Sequence, residues 1–142
     1  MRISEVMTPN AVVTTTDARC CDAAKLMAEH DIGSVPVHES EKLVGMVTDR
    51  DITTRVTAKE HGPETPVSEA MSERVLYCRE DDEVADVCRN MAEQAVRRLP
   101  VVDGDKRLVG MVSLGDLAEH GDDAAAGETL ERIKEASSDA RR

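Results

Sequence analysis

Two stretches of this sequence carry the same arrangement of groups able to do chemistry. One is Gly45-Met46-Val47-Thr48-Asp49-Arg50-Asp51, the other Gly110-Met111-Val112-Ser113-Leu114-Gly115-Asp116. Each has a glycine in an apolar run, then a hydroxyl, two residues and an aspartate. A glycine lets a backbone come close to a ligand. A hydroxyl at a helix start lies beside unpaired N–H donors, which welcome an oxyanion. An aspartate one turn further is able to accept hydrogen bonds from vicinal ribose hydroxyls. The same spacing also reads as a capping device that starts a helix and nothing more. The residues leave both readings open.

Other reactive residues are sparse and badly spaced for catalysis. No His-Glu-x-x-His, Gly-x-Ser-x-Gly or P-loop pattern occurs. The four histidines (His30, His38, His61 and His120) fall at expected helix C-termini, a strand end and a linker, and read as structural or solvated. Of the four cysteines, none forms a Cys-x-x-Cys pair, and adjacent Cys20 and Cys21 suit a tetrahedral metal site poorly. No catalytic residue and no metal site is therefore expected. The cysteines read as small core or surface residues. The sharper alternative is a redox-responsive Cys20 near a helix N-terminus, where a thiolate is favoured.

The elements that position the two junctions come from an internal repeat. Met7 to Lys42 aligns with Met71 to Lys106 without a gap, and after one extra residue, Arg107, Leu43 to Ile52 aligns with Leu108 to Leu117. Each copy is too small to bury much surface by itself, so two copies are expected to make one module. The pattern predicts α/β (α+β) architecture with two tandem β-α-β-β-α half-domains. A short helix (3–7; 67–71) leads to a strand (11–14; 75–78). A helix with an acidic N-cap region follows (19–30 after Asp17; 83–94 after Asp81-Asp82). Two strands (34–38 and 43–48; 98–102 and 108–113) then precede a last helix. The expected boundaries are 1–58 for the first half, 59–66 for a Gly-Pro linker, 67–121 for the second half, and 122–142 for an acidic, partly helical or disordered tail.

Composition narrows the partners. Eighteen Lys+Arg stand against 29 Asp+Glu, a net charge of −11, and the only aromatic residue is Tyr77. Acidity opposes binding to nucleic-acid phosphate, and the lack of aromatics removes stacking platforms for single strands. No apolar run approaches the ~20 residues that cross a bilayer, and the N-terminus lacks the apolar region of a signal peptide. The expectation is a cytoplasmic protein with no membrane partner.

The residues also resemble a known family, the CBS-domain pair or Bateman module, over Ile3 to about His120. The resemblance rests on Val6-Met7-Thr8-Pro9, the stretch Met27 to Val37, Leu43 to Ile52, Val96 to Asp103, and Leu108 to Ser113. The short chain is similar to stand-alone bacterial CBS proteins of the hypoxic response protein type. The resemblance implies a pseudo-twofold pair with two clefts for adenosine-containing ligands: AMP, ADP, ATP, NAD-type nucleotides or S-adenosylmethionine. It implies a regulatory ligand rather than an obligatory cofactor, and a homodimer with an unknown protein partner. Ribose binding carries over to Asp51 and Asp116, and the paired hydroxyl to Thr48 and Ser113. The basic position within the motif is Arg50 in the first half but Gly115 in the second. The one before the strand proline is Arg97 in the second half but Gly33 in the first. The base would rest on Val13, Val35 and Pro36 in one site and on Tyr77, Leu99 and Pro100 in the other. The missing basic positions at Gly33 and Gly115 lend some weight to the alternative, a ligand-independent structural dimer acting through protein partners.

Overall fold

The computed structural model describes residues 1–120. The tail expected over 122–142 lies outside them. The chain runs through a 3₁₀ turn (Ile3–Glu5), β1 (Thr8–Pro9), β2 (Thr14–Thr15), α1 (Cys20–His30), β3 (Ser34–Glu39), β4 (Lys42–Thr48) and α2 (Asp49–Arg55). A second 3₁₀ turn (Thr57–Lys59) leads to α3 (Val67–Ala70), β5 (Cys78–Arg79), α4 (Val84–Gln94), β6 (Arg98–Val102), β7 (Leu108–Ser113) and α5 (Leu114–His120). The β-α-β-β-α order is present twice. Among the described residues, no helix is long and apolar enough to cross a membrane.

The compact units do not follow the repeat boundaries. One unit is Val12–Val75; the other joins Met1–Ala11 to the chain from Leu76 onward. In the first unit β2 pairs parallel with β3, and β3 pairs antiparallel with β4. Its core gathers Cys20, Ala23 and Met27 from one face of α1 with Val35, Val37, Val47, Val56, Val67 and Ala70. In the second unit the sheet order is β1-β7-β6-β5. Its core joins Val84, Val87, Cys88 and Met91 of α4 to Leu99, Val101, Val112 and Leu117, and takes in Ile3 and Val6.

The reason is an exchange of leading segments. Thr8 pairs with Met111 on β7. Its repeat counterpart Ser72 pairs with Met46 on β4, through Met46 N–H to Ser72 O at 3.0 Å and Ser72 N–H to Met46 O at 2.8 Å. The helix starts follow the same rule. The Cys20 amide donates to Thr65 O at 2.7 Å, and the Val84 amide donates to Met1 O at 2.9 Å. Each leading segment thus serves the half of the repeat that it does not precede. The stretch expected as a bare linker supplies Pro63 and Thr65 carbonyls to the first two amides of α1. Those carbonyls replace the side-chain cap expected from Asp17: Arg19 holds the N-cap position, and Asp17 instead accepts from the Thr15 hydroxyl at 2.7 Å. The first strand of each copy is shorter and later than expected. Only Thr14–Thr15 and Cys78–Arg79 find backbone partners, on β3 and β6.

Candidate functional site

The two hydroxyl-x-x-aspartate junctions form reciprocal caps. Thr48 Oγ1 accepts from the Asp51 amide at 3.0 Å, and Asp51 Oδ2 accepts from the Thr48 amide at 2.9 Å. In the second unit Ser113 Oγ accepts from the Asp116 amide at 3.1 Å, and Asp116 Oδ2 accepts from the Ser113 amide at 2.9 Å. The capping reading is therefore correct at both places. It does not exhaust the carboxylates. Each uses Oδ2, while Oδ1 has no hydrogen-bond partner among the described residues, and all four side chains are half-buried. The cap fixes the carboxylate and leaves one oxygen available.

The surroundings of the two junctions differ. Arg97 precedes β6 and is held at the second junction by its carbonyl, which accepts from the Leu114 amide at 3.0 Å. Arg98, half-buried, lies directly across the ladder from Ser113, so the two share a sheet face. In the first unit Gly33 takes the place of Arg97, its carbonyl accepting from the Asp49 amide at 3.0 Å. Ser34 takes the place of Arg98, opposite Thr48. The Asp49 carboxylate borders this position: its Oδ2 is 3.5 Å from where a Cβ on Gly33 would stand, an ordinary contact distance. Arg50 is exposed beside it. Two arginines thus flank the second junction, and one arginine with a further acid flanks the first.

Two expectations and one alternative are corrected. Val35 and Leu99 do not line an open slot for a base. They are 0% and 4% exposed and belong to the two cores. Strand neighbours face opposite ways, so Pro36 and Pro100 lie on the other face, opposite Met46 and Met111, and they are buried as well. Gly45 and Gly110 do not clear space for a ligand. A Cβ on Gly45 would stand 2.8 Å from Ser72 O, and one on Gly110 would stand 2.7 Å from Thr8 O. The glycines admit the exchanged segments. Cys20 is not a poised thiolate: it is 1% exposed, and burial raises its pKa. Cys78 is buried too, and desolvation, with Asp82 adding to it, pushes its thiol up to about 12.

Of the remaining base-slot residues, Val13 is half-buried and Tyr77 is 40% exposed. The Lys106 ammonium stands over the Tyr77 ring, 5.4 Å from its centroid. Lys106 does not stand out in the sequence; Arg98 does, because as a strand neighbour of Arg97 it faces the other way and only one of the two can reach a phosphate, a role the resemblance gives to Arg97. The extra residue after Lys106 is the signal that points to that turn. A shallow depression of about 490 Å³ in the first unit, lined by Thr16, Asp17, Glu39, Pro66 and Ser68, contains none of the expected site residues. Among the described residues, no group of three or more His, Cys, Asp or Glu is placed to hold a metal ion.

Comparison with known proteins gives these junctions a context. The CBS-domain family model matches residues 3–58 and 67–123. The chain belongs to the CBS-domain family. It is 39% identical over 132 residues to the CBS domain-containing protein YhcV of Bacillus subtilis, covering 92% of this chain and 94% of that one. It is 37% identical over 100 residues to Hypoxic response protein 1 of Mycobacterium tuberculosis, 69% of each chain. Among solved structures it is similar to Hypoxic Response Protein I with two coordinated zinc ions, at a TM-score of 0.75 and 31% identity over 84% of this chain and 98% of that one. It is similar to CBSX2 in complex with AMP (0.71, 29%, 83% and 93%). It is also similar to the CBS domain pair of protein MJ0100 with 5′-methylthioadenosine and S-adenosyl-L-methionine (0.70, 26%, 84% and 98%).

Proposed function

We propose that this CBS-domain protein is a non-catalytic regulatory module that binds an adenosine-containing ligand and signals by changing its affinity for a protein partner, as a homodimer in the cytoplasm. The observation that carries the reading is the pair of capped aspartates, Asp51 and Asp116, each held rigid through Oδ2 with Oδ1 available. A carboxylate fixed in this way suits the two hydroxyls of a ribose. The AMP bound by CBSX2 and the S-adenosylmethionine bound by the MJ0100 pair contain that ribose. Arg97 and Arg98 beside Ser113 favour a phosphate at the second junction. Arg50 offers a weaker place at the first, where Asp49 opposes it. Affinity for a phosphorylated ligand falls as salt rises, and affinity for adenosine changes less.

A thermal-shift panel of AMP, ADP, ATP, adenosine and S-adenosylmethionine tests the reading. A ligand at 100 times its Kd stabilises the fold by about 2.7 kcal/mol. Because alanine at either aspartate would also break a cap, the double variant Asp51→Asn, Asp116→Asn is the sharper probe. Asparagine keeps the capping oxygen but replaces the available oxygen with a donor. Retained folding with loss of the shift is expected. A flat panel with the unmodified protein at millimolar ligand would leave the second reading, a structural dimer without a small ligand, which Gly33 and its covering Asp49 favour for the first half.

A further inference from the structure

Two singular features of the sequence meet in the second unit. The chain has one aromatic residue, Tyr77, and the repeat has one insertion, Arg107. In the first half, without the insertion, Ser40 and Glu41 make a two-residue turn with φ of 51° and 71°, and Lys42 stays in β4 opposite Glu39. In the second half the longer turn takes Lys106 out of the strand and into a left-handed conformation, φ 64°. Glycine or asparagine would fit there with less strain. The turn is fastened by Asp103, whose Oδ1 accepts from the Asp105 and Arg107 amides, both at 2.9 Å. So fixed, Lys106 reaches Tyr77, whose counterpart in the first half is Val13.

Tyr77 precedes Cys78, which is level with Val101 on β6. Cys78 and Val101 both enter the core, so Tyr77 lies on the opposite face of the sheet, beside Pro100. That is also the face of Arg98 and Ser113. The face therefore carries an exposed ring between a lysine near the hairpin end and an arginine near the α5 end. Its counterpart in the first half has Val13 and Ser34 at the ring and arginine positions.

We propose that the Tyr77–Lys106 pair makes the second half selective for planar ligands that carry negative charge, with Lys106 as the specificity-determining residue. This deepens the adenosine-ligand reading and rests on it. The ring gives a base a stacking surface. The ammonium at one end of the ring and Arg98 at the other make this face positive, a field that favours a phosphorylated ligand such as AMP and disfavours the cationic sulfonium of S-adenosylmethionine.

Tyr77 is also a built-in probe, because no other aromatic residue contributes emission. Calorimetric titrations with AMP, adenosine and S-adenosylmethionine would be run on the full chain and on Lys106→Met, Lys106→Arg and Tyr77→Val, with tyrosine emission followed where Tyr77 is kept. Lys106→Met is expected to lower the ratio of AMP to S-adenosylmethionine affinity about threefold to fivefold. Lys106→Arg should preserve the ratio. Tyr77→Val should weaken AMP about tenfold. Saturating AMP should change the tyrosine emission of the unmodified protein. An unchanged ratio in Lys106→Met, or emission indifferent to saturating AMP, overturns the proposal and leaves adenosine binding standing. If none of the three compounds binds the unmodified protein, the adenosine-ligand reading falls and this proposal with it.

Discussion

At the scale of single residues, glycines with similar sequence surroundings do unlike work. Gly45 and Gly110 are pressed against carbonyl oxygens of the exchanged segments, whereas a Cβ on Gly115 would meet only Ser113 Oγ, at 3.5 Å. Gly45→Ala or Gly110→Ala should cost about 1–3 kcal/mol through overpacking. Gly115→Ala, inside α5, should instead gain up to about 1 kcal/mol. Urea unfolding of the three variants measures both outcomes. Cys78 adds a pH dependence. Its thiol is raised to about 12 in the folded state, whereas an unfolded thiol titrates near 8.5. Below the unfolded value both states hold the proton, and the contribution to stability is fully present. As pH climbs toward 12 the unfolded chain releases its proton first, and that stability is lost. Cys78→Ala should therefore show a flatter decline in stability above pH 9 than the unmodified protein.

At the scale of elements, α1 and α4 end in the same strained way. Asp31 and Ala95, their C-cap residues, have φ of 52° and 55°. Alanine has no polar side chain to ease that conformation, so Ala95→Gly should raise stability by about 0.5–1 kcal/mol, read as a higher thermal midpoint. Aspartate tolerates the left-handed region better, and Asp31→Gly should gain less. The elements are also where the sequence was most and least readable. Leu108 to Ser113 and the apolar spacing of α4 could be read because each is set by neighbours in sequence. The exchange was not readable, because Thr8 meets Met111 and Met1 meets Val84 through backbone groups that leave no side-chain pattern. Val35 and Leu99 were misplaced for a different reason. They sit in strands buried on consecutive residues, so alternation does not reveal which face is core. The capped aspartates were legible as a repeated spacing, but that spacing cannot tell a cap from a site when both use the same carboxylate.

At the scale of the molecule, the N-terminal segment is part of the second unit's core, not an appendage. Ile3 is fully buried there and Val6 nearly so. Ile3→Ala should cost about 2–5 kcal/mol. The loss should appear first as faster hydrogen exchange at β7 and α4 amides, ahead of those of β3 and β4. Equal loss of protection throughout both units would show that they unfold only together. The net charge of −11 is an average over the whole surface; Arg97, Arg98 and Lys106 gather in the second half against that background. The exchanged strand also sets a clock. At about 5–20 residues per second, roughly 5–20 s separate the making of Thr8 from the making of Met111, its partner on β7. The stretch Val12–Val75 holds its own pairing partners and is complete about 2–7 s before then. The first eleven residues wait through that interval with Ile3 and Val6 uncovered, a window in which a chaperone or a neighbouring nascent chain is able to capture them.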